Sequence, residues 1–162
     1  MRIMGIDPGT LVVGYGIIDE IKGQPKFIHC GAIKISSKEK LPQRLKKIYS
    51  ELQTIIQEYT PDVIAIEKIF SGKNIQTAIR TGEGRGVALL AAANAELPIF
   101  EYDATIIKKA VVGAGLADKK QVQFMVQTIL QLEIMPTPFD ASDALAIALC
   151  HQHSVNSNTL QS

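Results

Sequence analysis

The chain has 162 residues, 46% of them hydrophobic and 20% charged, with a formal net charge of +1. That is the size and composition of one folded domain with its own core, and no apolar run is long enough to cross a membrane as a helix, the longest being Val87–Ala93 and Ala144–Cys150. The two cysteines, Cys30 and Cys150, lie far apart, which excludes a disulfide scaffold and a cysteine metal motif and suits a reducing, cytoplasmic setting.

Met1 leads almost at once into an apolar run, leaving no room for a secretory leader. Arg2–Asp7 reads as a short buried strand stopped by Pro8-Gly9. Leu11–Ile18 and Lys26–Ile35 are further strands, rich in branched residues, with a turn at Gly23-Gln24-Pro25 between them. A helix is expected from Pro42 to about Tyr59, because Leu45, Ile48, Tyr49, Leu52, Ile55 and Ile56 recur at helical steps. Pro42 suits its first turn, and Pro61-Asp62 ends it. Val63–Glu67 is a second buried strand that ends in an acid. A long helix follows from about Asn74 to Glu96, then a strand at Ile99–Tyr102 and helices near Ala104–Val111 and Asp118–Leu132. The last helix is expected from about Asp140 to His151, with the polar, uncharged stretch 154–162 as a frayed tail. Residues 1–153 then form a single α/β domain, a mixed five-stranded sheet flanked by helices.

The near-neutral charge argues against nucleic acid, but its distribution does not. Every Lys and Arg lies at or before Lys120. If the acids that concern us next bound divalent cations, the chain would become clearly cationic, as phosphate contacts require.

Asp7 and Glu67 each terminate a strongly apolar strand. In open α/β sheets, sites gather at the carboxyl ends of strands where strand order switches. Taken singly, each is explained as well by a turn or a strand-end charge. Asp140 and Asp143 are harder to explain so. They open a segment, Asp140–Cys150, that is apolar nearly all round, as a buried helix is. Three residues apart, they share a helix face with Cβ atoms about 5–6 Å apart. Two carboxylates at that distance repel by roughly 3 kcal/mol at an effective dielectric near 20. Asp140 alone could serve as an N-cap; Asp143 has no such role. A cation would offset the repulsion. All-oxygen ligands suit Mg²⁺ or Mn²⁺, and no Cys or His lies close enough in sequence to suggest zinc. Two such ions can clamp both the attacking and the leaving oxygen of a phosphodiester, with Asp7 on the innermost strand as the candidate bridge.

Six segments, Gly5–Gly9, Ala65–Phe70, Lys73-Asn74, Gly82–Gly86, Val111–Lys119 and Asp140–Ala148, closely resemble in order and spacing those of the RuvC family of crossover-junction endodeoxyribonucleases. The resemblance covers roughly residues 2 to 153. It implies a ribonuclease H-like fold, a homodimer, and resolution of four-way DNA junctions that depends on two Mg²⁺ ions, with Mn²⁺ able to substitute. It also implies the branch-migration proteins RuvA and RuvB as partners. The family's four acidic positions fall on Asp7, Glu67, Asp140 and Asp143; at the position of Asp140 the family also uses histidine. Lys108 and Lys119 match basic positions near the scissile phosphate. Phe70, in a stretch with Lys68, Lys73 and Asn74, either stacks on an unpaired base or packs under the strand exit, and the resemblance favours the base.

Other patterns carry less. Gly82, Gly84 and Gly86 lie within a helical pattern rather than after a strand, so they do not read as a phosphate loop. Ala78, Gly82 and Gly86, four apart, give a smooth face at what the family uses as its dimer contact. His151 and His153 diverge on a helix and read as ordinary histidines. Three rivals remain: an actin-like ATPase module, suggested by Gly5–Thr10 but needing a duplicated domain; a junction-binding protein without catalysis; and a related nuclease acting on RNA.

Overall fold

The computed structural model describes residues 1–69 and 74–159. Five strands, β1 (Arg2–Asp7), β2 (Val12–Ile21), β3 (Gln24–Lys34), β4 (Val63–Glu67) and β5 (Ile99–Tyr102), form one sheet in the order β3-β2-β1-β4-β5. β1, β2 and β3 pair antiparallel, while β1–β4 and β4–β5 pair parallel. The helices are α1 (Leu41–Tyr59), α2 (Ile75–Asn94), α3 (Ala104–Val112), α4 (Lys119–Ile129) and α5 (Phe139–Thr159). The expected mixed five-stranded α/β architecture is therefore present.

The sheet has a core on each face. Met4, Ile6, Ile17, Ile64 and Ile66 pack with Ile48 and Leu52 of α1 and Ala88, Ala91 and Ala92 of α2. Ile3, Ile18 and Ala65 pack on the opposite face with Val111, Val126, Leu145 and Leu149 from α3, α4 and α5. α5 is apolar all round because it lies between the sheet and α3 and α4; Ala141, Ala144, Leu145, Ala148 and Leu149 are fully buried. Its close approach depends on missing side chains in the sheet. A Cβ at Gly5 would collide with the Ala144 carbonyl, and one at Gly14 with that of Asp140. These two glycines seat the first turns of α5 directly over β1 and β2.

Two regions differ most from expectation. β2 and β3 extend to a tight two-residue turn at Lys22 and Gly23, both at positive φ (51° and 82°), the twist that hairpins favour. Pro25 lies inside β3, which its position at the sheet edge permits. β2 outlasts Ile18 because Asp19 accepts two bonds from the Arg2 guanidinium, at 2.8 and 3.0 Å, across the β1–β2 register. The second difference is at the C-terminus: residues from Ser154, expected as a tail, continue α5 to Thr159. The Gln152 and Asn156 side chains donate to the Gly23 carbonyl at 2.9 and 3.1 Å, so this last part of the helix is tied to the β2–β3 turn.

Candidate active site

β1 and β4 are parallel neighbours, with Ile6 opposite Ile66, so the next residues, Asp7 and Glu67, emerge side by side about 5 Å apart in backbone. Asp143 comes down on them from the first turns of α5. A cleft of about 320 Å³ is lined by all three acids together with Lys108 of α3 and Lys119 at the start of α4. Lys119 is placed by the helix it begins. Asp118 caps α4 by accepting from the Gln121 N–H at 2.9 Å, while the Gln121 side chain accepts from the Asp118 N–H at 2.8 Å. The Lys119 ammonium reaches Asp143 Oδ2 at 3.3 Å. Asp140 does not line the cleft; its backbone rests on Gly14, and its charge is felt at Asp7.

The electrostatics are those of acids held together against their preference. Burial and then the charges of Asp143, Glu67 and Asp140 push the Asp7 carboxyl up to about 8, with Lys119 opposing them. Burial and Asp143 raise Glu67, against Lys108 and Lys119. Burial raises Asp143 against the pull of Lys119. Burial alone would lower Lys119, but Asp143, Asp7 and Asp140 together outweigh it and the net shift is upward. Among the described residues, no three carboxylate, imidazole or thiol side chains close into a ligand shell. The donor set nevertheless fits hard divalent cations: it is all oxygen, partly buried, and brings like charges together beside the Lys108 and Lys119 ammoniums. Phe70 and Lys73, the other residues expected at the site, lie outside the described residues.

Two contributors were not legible as such. Arg85 on α2 donates from Nε to the Glu67 carbonyl at 3.3 Å and pairs through Nη2 with Glu101 at 2.6 Å, bracing the strand end that carries Glu67. Gly84, rather than Gly82 or Gly86, makes the close approach of α2 to the sheet: a Cβ there would collide with the backbone of Gly9, two residues beyond Asp7. Gly86 has open space above it, and Gly82 meets only the tip of Ile69. His151 is buried, in contact with the Tyr102 hydroxyl at 2.7 Å and with Phe100 at a ring separation of 4.4 Å. His153 is exposed, and the two form no pair.

A family model described as crossover junction endodeoxyribonuclease RuvC matches residues 3–151. The chain belongs to the RuvC family. RuvC of Alkaliphilus metalliredigens is 52% identical over 95% of this chain and 94% of its own length. That of Syntrophomonas wolfei is 49% identical over 95% and 90%. The structure of Thermus thermophilus RuvC superposes with a TM-score of 0.88 at 33% identity, covering 98% of both chains. The same RuvC in complex with a Holliday junction substrate gives 0.90 at 31% identity, covering 98% of this chain and 97% of that one. The fowlpox virus resolvase, at 15% identity and a TM-score of 0.62, shares the fold.

Proposed function

We propose that this chain is a divalent-metal-dependent endonuclease that resolves four-way DNA junctions by paired symmetric nicks. The observation that carries the proposal is the meeting of Asp7 and Glu67, at the adjacent carboxyl ends of β1 and β4, with Asp143 of α5 in one cleft. Such a cluster is costly in an empty protein and useful in one that binds cations. Membership of the RuvC family supplies the substrate class, and the junction-bound relative supports it.

In this reading Asp7, Glu67 and Asp143 would hold Mg²⁺, with Asp140, outside the cleft lining, as the fourth acid. A pair of Mg²⁺ or Mn²⁺ ions held there supplies an activated water and stabilises the leaving oxygen. The residues themselves do the positioning. Asp7, which shares the cleft with Glu67 and Asp143, would be the central acid of the set. Lys119 and Lys108, which line the cleft beside the acids, would contact phosphates of the strand to be cut. Phe70 stacks at the open centre of the junction, with Lys73 on a nearby phosphate.

Two symmetric nicks require two sites related by a two-fold axis, which a homodimer provides. One face of α2 supports this. Ile75, Ile79 and Leu90 are 70%, 51% and 53% exposed, and they lie at helical spacing with Gly82 and Gly86. RuvA and RuvB as partners, and a cytoplasmic location, belong to the same reading. The test is one Mg²⁺ cleavage panel of four-way junction, linear duplex, hairpin, single strand and RNA–DNA hybrid. Junction should be cut preferentially and in pairs; preferential cutting of the hybrid refutes the proposal.

A further inference from the structure

The active-site cleft does not account for the densest run of basic residues in the chain. Between Lys34 and Lys47 the chain carries six basic residues and one acid, Glu39. Lys34, Lys38, Lys40 and Lys46 are exposed, and among the described residues none of the four is in an ion pair. Glu39 is taken by Lys47 at 2.6 Å.

Topology brings this patch to the active-site end of the sheet. Asp7 is opposite Gly14 on β2, Gly14 is opposite Ala32 on β3, and Lys34 lies two residues further along. Two strand spacings and two residues of rise put Lys34 roughly 12 Å from Asp7 in backbone. Two bonds fasten this region to the loop that follows Asp7: the Ile35 N–H donates to the Leu11 carbonyl at 2.8 Å, and Arg44 Nη1 to the Thr10 carbonyl at 3.5 Å. The cleft opens between Asp7 and the lysines of α3 and α4, so the Lys34–Lys47 patch flanks Asp7 on the opposite side.

The arrangement is also unfavourable in the free protein. α1 begins at Leu41 with no capping side chain and no acid in its first turn. Helix N-termini favour negative charge nearby; here Lys38 and Lys40 supply positive charge. Positive charge beside the positive end of a helix is offset by an external polyanion. A duplex advances about 3.4 Å per nucleotide along each strand, so a phosphate over Lys34 is on the order of four nucleotides from the scissile one.

We propose that the surface formed by Lys34, Lys38, Lys40 and the first turn of α1 is a second DNA face, which holds the duplex arm leaving the active site through sequence-independent phosphate contacts. This rests on the junction-nuclease reading above but assigns residues outside its cleft.

The test compares wild type with Lys38→Gln/Lys40→Gln, and with a control, Lys22→Asn/Lys26→Gln, which removes the same charge near the β2–β3 turn at the far end of the sheet. Binding is followed by fluorescence anisotropy in Ca²⁺ across a salt series. One junction has fully charged arms longer than a helical turn; the other has arms trimmed of charge by neutral methylphosphonates at the phosphates about three to six nucleotides from the scissile one. On long arms, the Lys38/Lys40 variant should lower the slope of log affinity against log salt by about 2, close to one unit per lost contact. Its affinity at physiological salt should fall on the order of tenfold. On trimmed arms it should match wild type, and its single-turnover cleavage rate at saturating protein should be unchanged. The control should behave as wild type throughout. An unchanged slope, equal loss on trimmed arms, or equal loss in the control overturns the inference; an unchanged slope would point to an acidic protein partner for the patch instead. A wild-type protein that does not distinguish junction from linear duplex would instead refute the parent reading.

Discussion

Replacing Asp7 by asparagine should stabilise the metal-free protein while abolishing cleavage. The folded chain holds the Asp7 carboxyl near 8, against 3.8 for an ordinary one. Its pKa is raised on folding, so the folded state binds the extra proton between those values. Stability associated with this group is therefore fully present below about pH 4 and is lost as pH rises toward 8. At pH 7 the gap from 3.8 spans about three pH units, each worth 1.36 kcal/mol, or about 4 kcal/mol in all. Asparagine does not ionise and escapes that cost, though it still needs hydrogen-bond partners in the cleft, so the net gain should be roughly 2–3 kcal/mol. For a chain of this size that is about 5–10 °C in Tm. Calorimetry in a chelating buffer from pH 4 to pH 8 measures it: the variant should melt slightly below wild type at the acid end, cross it, and pull steadily ahead as pH rises. Adding Mg²⁺ should raise the wild-type Tm and leave the variant nearly unmoved. A variant less stable than wild type at pH 7, or a difference that ignores pH, would refute the reasoning.

Asp143→Asn should reduce single-turnover cleavage in Mg²⁺ by at least about 100-fold while junction affinity changes little, because phosphate contacts elsewhere hold the DNA; a near wild-type rate would remove Asp143 from the metal site. Gly84→Val should lower stability by about 1–3 kcal/mol in denaturant titrations, because its side chain meets the backbone of Gly9; an unchanged midpoint would show that α2 can move away at no cost. Ile79→Glu, on the exposed face of α2, should leave the monomer folded and halve the mass seen in sedimentation. Paired nicks should be lost with it, and a variant that stays dimeric would place the interface elsewhere.

Much of the fold was legible because its signals are local. β1, β4 and β5 match their expected residues, and Pro8, Pro61 and Pro98 stand at or near their boundaries. β2 runs past its expected end because Asp19 and Glu20 look like the end of a strand, while the partner that retains Asp19 there, Arg2, is 17 residues away in sequence. The end of α5 was missed for the same reason. Ser154–Thr159 has no apolar stripe to announce a helix, and the Gly23 carbonyl that Gln152 and Asn156 hold is far upstream in the chain.

The candidate site divides along the same line. Asp140 and Asp143 stood out because their conflict is local: acids on a helix otherwise apolar enough to be buried. Asp7 and Glu67 acquired meaning only from the pairing of β1 with β4, which turns two strand ends into neighbours. Arg85 and Gly84 were visible as members of a glycine-rich helix, yet their roles depend on what lies opposite: the Glu67 carbonyl for one, the Gly9 backbone for the other. A residue whose work is done against a distant backbone atom leaves no periodicity and no charge pattern behind. Such residues surround the acids here, so a search for acids alone finds the chemistry but not what holds it in place. Holding the acids in place has a cost. Gly5 and Gly14 let α5 approach closely, Gly84 does the same for α2, and Arg85 braces β4; together these contacts keep four carboxylates nearer to one another than they would settle unaided.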